Sequence, residues 1–141
     1  MTLGTDEVRF INLFEMLTGA GAKDCIVDDE NERIIFVVSE GEIAQAIGKG
    51  GANVHRVEVK MNKKIDVIEY SKDPLQFVRN LLHPLKPKNV YLAEKSTGEK
   101  VINVEVERKD KSVIFGSGKR LYNRLKMLLN RYHGISNIEV Q

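Results

Sequence analysis

The sequence predicts an α+β fold built from two successive copies of one small unit. Each copy runs helix, strand, strand, helix, helix, strand, with a three-stranded sheet backed by helices. Three observations lead there. Pairs of β-rich runs around a polar turn occur twice, and each pair is followed by two helical patterns separated by a glycine cluster. Superposing Gly48 on Gly116, an offset of 68 residues, also aligns Ile47 with Phe115, Gly50 with Gly118, Arg56 with Arg124 and Val57 with Leu125. The copies are expected to span residues 1–71 and 72–141, with no long flexible linker between them.

In the first copy, Thr5 followed by Asp6 and Glu7 reads as a capped helix start. Val8, Ile11, Phe14 and Met16 or Leu17 repeat at helical spacing until Gly19 and Gly21 end the pattern. Cys25 to Val27 and Ile34 to Val38 flank the turn "DDENE" and read as a hairpin. Ser39 and Glu42 stand three apart, the spacing of a capping box, before the apolar positions Ile43, Ala46 and Ile47. A second helix is expected from about Gly51 to Met61, carrying Val54, Val57 and Met61. "KKIDVIEY" then alternates Ile65, Val67 and Tyr70 with polar residues, as a half-buried strand does.

In the second copy Asp73 before Pro74 is a cap followed by a first-turn proline. The stripe Leu75, Val78, Leu81 and Leu82 runs up to "HPLKP", where two prolines stop the helix. "NVYLAE" and "VINVEVE" flank the turn "KSTGEK" as a second hairpin. A short helix, a glycine-bearing loop, a longer helix with Leu121, Leu125, Leu128 and Tyr132, and a strand from Ile138 to Val140 complete the chain.

Composition bounds the function. With 42% hydrophobic and 30% charged residues among 141, this is a folding, globular chain, and its net charge of +2 does not by itself announce a nucleic-acid partner. The single cysteine, Cys25, excludes an internal disulfide and a cysteine-based zinc site, and its apolar neighbours mark it as a core residue. Apolar runs fall far short of the roughly 20 residues that cross a bilayer, and "MTLGTDEVRF" has no secretory character, so a cytoplasmic protein is expected. His55, His83 and His133 are scattered without ligand spacing, and no serine, cysteine or carboxylate lies in a catalytic motif. No enzyme activity, cofactor, metal or small-molecule substrate is expected.

The stretch "EIAQAIGKGGANVHRV" asks for an explanation, because each glycine within a helical pattern costs roughly 1 kcal/mol relative to alanine. A helix that stops at Gly48 and another that starts near Gly51 present free amides and the positive end of a dipole, which is an anion site. Glycines let a phosphate-bearing chain approach the backbone, and Lys49 at the tip can neutralise a phosphate. Ile47 and Val54 supply an apolar wall for bases. Neither a phosphate-binding GxxxxGK[ST] loop nor a dinucleotide fingerprint fits these spacings.

"AIGKGGANV", set between two helices and between strands, resembles the GxxG motif of KH domains, whose loop clamps about four nucleotides. Helix-strand-strand before the motif and one strand after it resembles the type II arrangement. Two such units in tandem resemble the KH pair of the NusA family of transcription factors. With nothing before or after the pair, the chain resembles the short archaeal form, without the polymerase-binding and OB-fold domains of bacterial relatives. That resemblance implies binding of single-stranded RNA and a role in transcription elongation, termination or antitermination, with RNA polymerase as a partner.

In the first copy the residues expected to contact RNA are Ile47, Gly48, Lys49, Gly50, Gly51, Asn53 and Arg56. In the second they are Gly116, Ser117, Gly118, Lys119 and Arg120. The second copy departs from the motif because Lys119 stands where the fourth position is glycine, so side-chain charge from Lys119 and Arg120 is expected to replace close backbone approach. Two alternatives stay open. One is a DNA-binding helix-turn-helix in which Asn53, His55 and Arg56 read bases from a major groove. The other is a KH protein of the ribosome or of RNA processing.

Overall fold

The computed structural model describes residues 4–141, and Met1, Thr2 and Leu3 of the N-terminal stretch lie outside the described residues. The chain divides into two compact units, Met1–Tyr70 and Ser71–Gln141. Ser71 starts the second unit, one residue ahead of the expected division. Its Oγ accepts the Asp73 amide at 3.1 Å, and its carbonyl lies 2.9 Å from Nε2 of His133.

In the first unit α1 (Thr5–Thr18) takes Gly4 as its cap, so Thr5 is the first helical residue and not the capping one. Gly19 ends the helix in the left-handed conformation that glycine adopts freely, its amide returning to the Glu15 carbonyl. Ile11 and Phe14 face the core with Leu17, whereas Met16 is 74% exposed. β1 (Ala22–Asp28) and β2 (Arg33–Val38) pair antiparallel across a turn in which Asn31 donates to Asp28 at 2.8 Å. β3 (Lys64–Glu69) lies parallel to β2, giving the sheet order β1-β2-β3. Tyr70 falls just past the strand's end, with the Lys23 ammonium 4.7 Å from its ring centroid.

Between β2 and β3 come α2 (Ile43–Ile47) and α3 (Ala52–Met61), joined by a single tight helical turn at Lys49–Gly51. The expected Ser39–Glu42 capping box does not form. Glu42 is itself the cap residue of α2, and its carboxylate accepts the Gly21 amide at 3.0 Å, closing the end of β1 against the start of α2. A local spacing that suits a box has been taken over by an amide 21 residues away. Ala46 and Val57 carry these helices into a core with Phe14, Cys25, Phe36 and Ile65, centred on the Phe14 and Phe36 rings stacked 4.2 Å apart.

The second unit opens with α4 (Pro74–Leu82), where Asp73 Oδ1 accepts the Leu75 amide at 3.0 Å and Pro74 occupies the first turn. Val78, Leu81 and Leu82 are buried, together with Phe77, which packs edge-on against Tyr132 at 5.9 Å. β4 (Asn89–Glu94) and β5 (Lys100–Glu105) pair antiparallel, and β6 (Asn137–Val140) adds parallel to β5. Between β5 and β6 lies α5 (Arg108–His133), which is continuous in trace but broken by four non-helical residues, Gly116 to Lys119. With that break, the second unit repeats the element order of the first. Among the described residues, no helix is long and apolar enough to cross a membrane.

Cys25 sits in β1 and is 3% exposed; burial pushes its thiol up to about 12, with the carboxylates of Asp24 and Glu7 adding to the shift. The thiolate is the reactive form. Iodoacetamide at pH 8 should therefore leave Cys25 unmodified in the folded protein and modify it fully once denaturant is added, as mass spectrometry would read.

Candidate nucleic-acid interface

The first loop is built on glycines whose roles differ. Gly48 (φ 78°, ψ 171°) has no room for a side chain, because a Cβ there would lie 2.7 Å from Asn53 Cγ and 2.9 Å from its backbone nitrogen. Asn53 fills that space for a reason. Its Nδ2 donates to the Gln45 carbonyl at 2.9 Å, and its Oδ1 accepts from Arg56 Nη1 at 3.2 Å. One side chain thus ties the last turn of α2 to the first turn of α3. Gly50 (φ 62°) and Gly51 (φ 80°) need glycine for the opposite reason: both are left-handed, and no atom crowds Gly50 within 4 Å.

The hydrogen bonds of this turn decide which amides are left without a partner in it. The Gly48 amide donates to the Ala44 carbonyl, that of Gly51 to Gly48 and that of Ala52 to Lys49. The amide of Gly51 is therefore not free, although a helix start there suggested it. The amides of Lys49 and Gly50 have no partner within the turn. Successive amides in such a turn make a concavity suited to an anion, and the exposed Lys49 side chain sits at its rim. Ile47, 39% exposed, stands beside it with the half-buried Val54. Of the expected contacts in this copy, Ile47, Lys49 and Gly50 are open to solvent, while Gly48 and Asn53 hold the loop's shape. Arg56 is exposed and oriented by Asn53.

The second loop reaches a similar turn by other means. Gly118 (φ 69°, ψ 27°) and Lys119 (φ 63°, ψ 30°) adopt nearly the conformations of Gly50 (φ 62°, ψ 21°) and Gly51 (φ 80°, ψ 13°). Lys119 does so with a Cβ, and Ser117 is also left-handed at φ 52°. Such a conformation costs a non-glycine residue roughly 1–2 kcal/mol. Gly116, by contrast, has φ −75°, which any residue adopts, and open space around it. Ser117, Gly118 and Lys119 are exposed and Arg120 half-buried. Beside them the Phe115 and Tyr122 rings lie 5.1 Å apart, and Lys126 Nζ stands 5.7 Å from the Tyr122 centroid. Tyr122 and Lys126 were not among the expected contacts. The signal was in the repeat, since the 68-residue offset places Phe115 on Ile47 and Tyr122 on Val54.

No three His, Cys, Asp or Glu side chains gather as a metal site among the described residues. His55 lies 3.9 Å from Glu58, and His133 packs on the Phe77 ring at 5.5 Å.

The family model of the KH domain matches residues 11–109 of the chain. Over 138 residues the chain is 40% identical to a Methanococcus vannielii protein named "Probable transcription termination protein NusA", covering 98% of this chain and 78% of that one. The chain belongs to the KH-containing NusA family. Proteins of the same name from Methanocaldococcus jannaschii and Halococcus morrhuae are 39% and 36% identical over 140 residues, and the chain covers 74% and 98% of their lengths. The crystal structure of APE1850 superposes with a TM-score of 0.79 at 34% identity, over 99% of this chain and 100% of that one.

Two substitutions separate the roles of the glycines. Gly50→Ala should cost about 1 kcal/mol, from backbone conformation alone. Gly48→Ala should cost about 2 kcal/mol or more, because it also displaces Asn53. Lys119→Gly should stabilise the protein by up to about 1 kcal/mol by relieving its left-handed backbone. Urea unfolding of the three variants measures all of these.

Proposed function

We propose that the chain is a single-stranded RNA-binding factor of transcription, built from two tandem type II KH domains, residues 1–71 and 72–141. The observation that carries this reading is the first loop. A bare left-handed turn leaves two amides without a partner in the turn and one exposed lysine, with Ile47 alongside, in a chain of the KH family. A phosphate held at the amides of Lys49 and Gly50 and paired with the Lys49 ammonium would set neighbouring bases along Ile47 and Val54. Phosphate contacts of this kind position a strand, and the apolar wall accepts its bases. Gly48, Gly51 and Asn53 act by keeping the turn in shape, and Arg56 adds positive charge on the outer side of α3. In the second domain the contacts are Gly116, Ser117, Gly118, Lys119 and Arg120.

The names of its relatives support a role in transcription termination; antitermination, contact with RNA polymerase and a cytoplasmic location are further parts of the proposal. A helix-turn-helix reading gains no support from the geometry: α2 is a single turn of five residues, too short to cross a duplex backbone, and three left-handed glycines precede α3.

The test is a salt titration of the intact protein and a Lys49→Asp/Gly50→Asp variant against single-stranded RNA and duplex DNA. Aspartate tolerates the left-handed region better than most residues, so the variant should fold, as circular dichroism would verify. RNA affinity should drop at least about tenfold at low salt, and the slope of log affinity against log salt should fall by about 1. A folded variant with unchanged RNA affinity, or a wild type that prefers duplex DNA, would rule the clamp out.

A further inference from the structure

The near-neutral net charge of the chain conceals a division. Residues 1–70 carry eight Lys and Arg against thirteen Asp and Glu, a net charge of −5, while residues 71–141 carry fourteen against seven, a net charge of +7. The unit with the complete glycine motif is the acidic one. Within the basic unit the charge concentrates on α5, where eight Lys and Arg face one acidic residue, Asp110. Lys119, Arg120 and Lys126 form no ion pair among the described residues. At the break in α5, Lys119 and Arg120 lie between Phe115 and Tyr122 in the chain, and Lys126 Nζ stands 5.7 Å from the Tyr122 centroid. Phe115 is 38% exposed, Tyr122 packs against it, and the first unit has only aliphatic side chains at the matching positions. Lys119 holds its charge there on a strained backbone that glycine would relieve.

We propose that the second unit binds single-stranded RNA through side chains: a base stacks on the Phe115–Tyr122 ring pair, and Lys119, Arg120 and Lys126 hold the flanking phosphates. The inference rests on the RNA-binding reading above and deepens it. Charge complementarity selects a polyanion, and an exposed ring on the same basic helix selects one with unpaired bases, because the bases of a duplex have no free face to offer. The two units then divide the work. The first positions a short backbone segment by its amides, and the second supplies most of the salt-dependent attraction together with a stacking platform that tolerates any base.

The chain has no tryptophan, so Phe115→Trp places a lone fluorophore at the platform. In the full chain, an oligouridylate or oligoadenylate should quench that fluorescence with the same midpoint as binding followed by anisotropy. Phe115→Ala and the gentler Phe115→Leu should each weaken binding roughly tenfold, within the range for loss of one stacked base. Lys119→Gln/Arg120→Gln should lower the salt slope by about 0.7 for each phosphate that is no longer neutralised. Binding without quenching, equal quenching by inorganic polyphosphate, or unchanged affinity in the Ala and Leu variants would overturn the proposal. If Phe115→Trp fails to fold, the Leu variant's affinity decides the matter. Should Lys49→Asp/Gly50→Asp abolish binding while the Phe115 variants retain it, the first-loop clamp stands and the stacking platform falls. If the intact chain binds no single-stranded RNA, both fall.

Discussion

Asn53 reaches back across the turn to the Gln45 carbonyl, and it can do so only because position 48 has no side chain. The rest of the first loop follows from that contact. It fixes where α2 stops and α3 begins, with Gly50 and Gly51 between them in left-handed conformations and open space at Gly50. It also leaves the amides of Lys49 and Gly50 without a partner in the turn, as the proposed phosphate contact requires. The glycines are costly as helix residues, but the turn they make is held by a side chain that a Cβ at position 48 would collide with.

The second loop shows how far that arrangement can be altered while the turn is kept. Its last two residues keep the same backbone conformation, although one of them is lysine. Position 116 no longer needs a positive φ, and no steric lock forbids a side chain there. What the loop gains is chemistry at the side-chain level: cations at 119 and 120, and the Phe115 and Tyr122 rings with Lys126 beside Tyr122. One turn presents backbone and the other presents side chains. The charge division between the units points the same way, since a backbone cradle works on an acidic body provided one lysine stands at its rim, whereas a side-chain site depends on its surroundings being basic.

Several local signals in the sequence were sufficient because the groups involved are neighbours in the chain. Asp73 caps α4 with Pro74 in its first turn, Gly19 closes α1, and the two hairpins pair across their polar turns. Other signals were equally plausible locally and were overruled at long range. Ser39 and Glu42 had capping-box spacing, yet Glu42 took the amide of Gly21. Met16 and Leu17 were indistinguishable by periodicity, and only the position of the sheet decided that Leu17 packs inward. Asn53, an expected RNA contact, has its side-chain amide engaged with Gln45 and Arg56, a local role in the turn that its polarity did not signal.

The sequence by itself determined the repeat, the order of elements, the place of both turns and the glycine or lysine at each of their positions, because these depend on short-range backbone preference and on periodicity. Tertiary structure decided that β3 and β6 run parallel to β2 and β5, and it decided which amides of the first turn are left without a partner in it. It also brought Phe115, Tyr122 and Lys126 together beside the second turn. Each of these is a matter of where chains that are distant in sequence, or the two halves of a broken helix, come to lie. No local propensity encodes that.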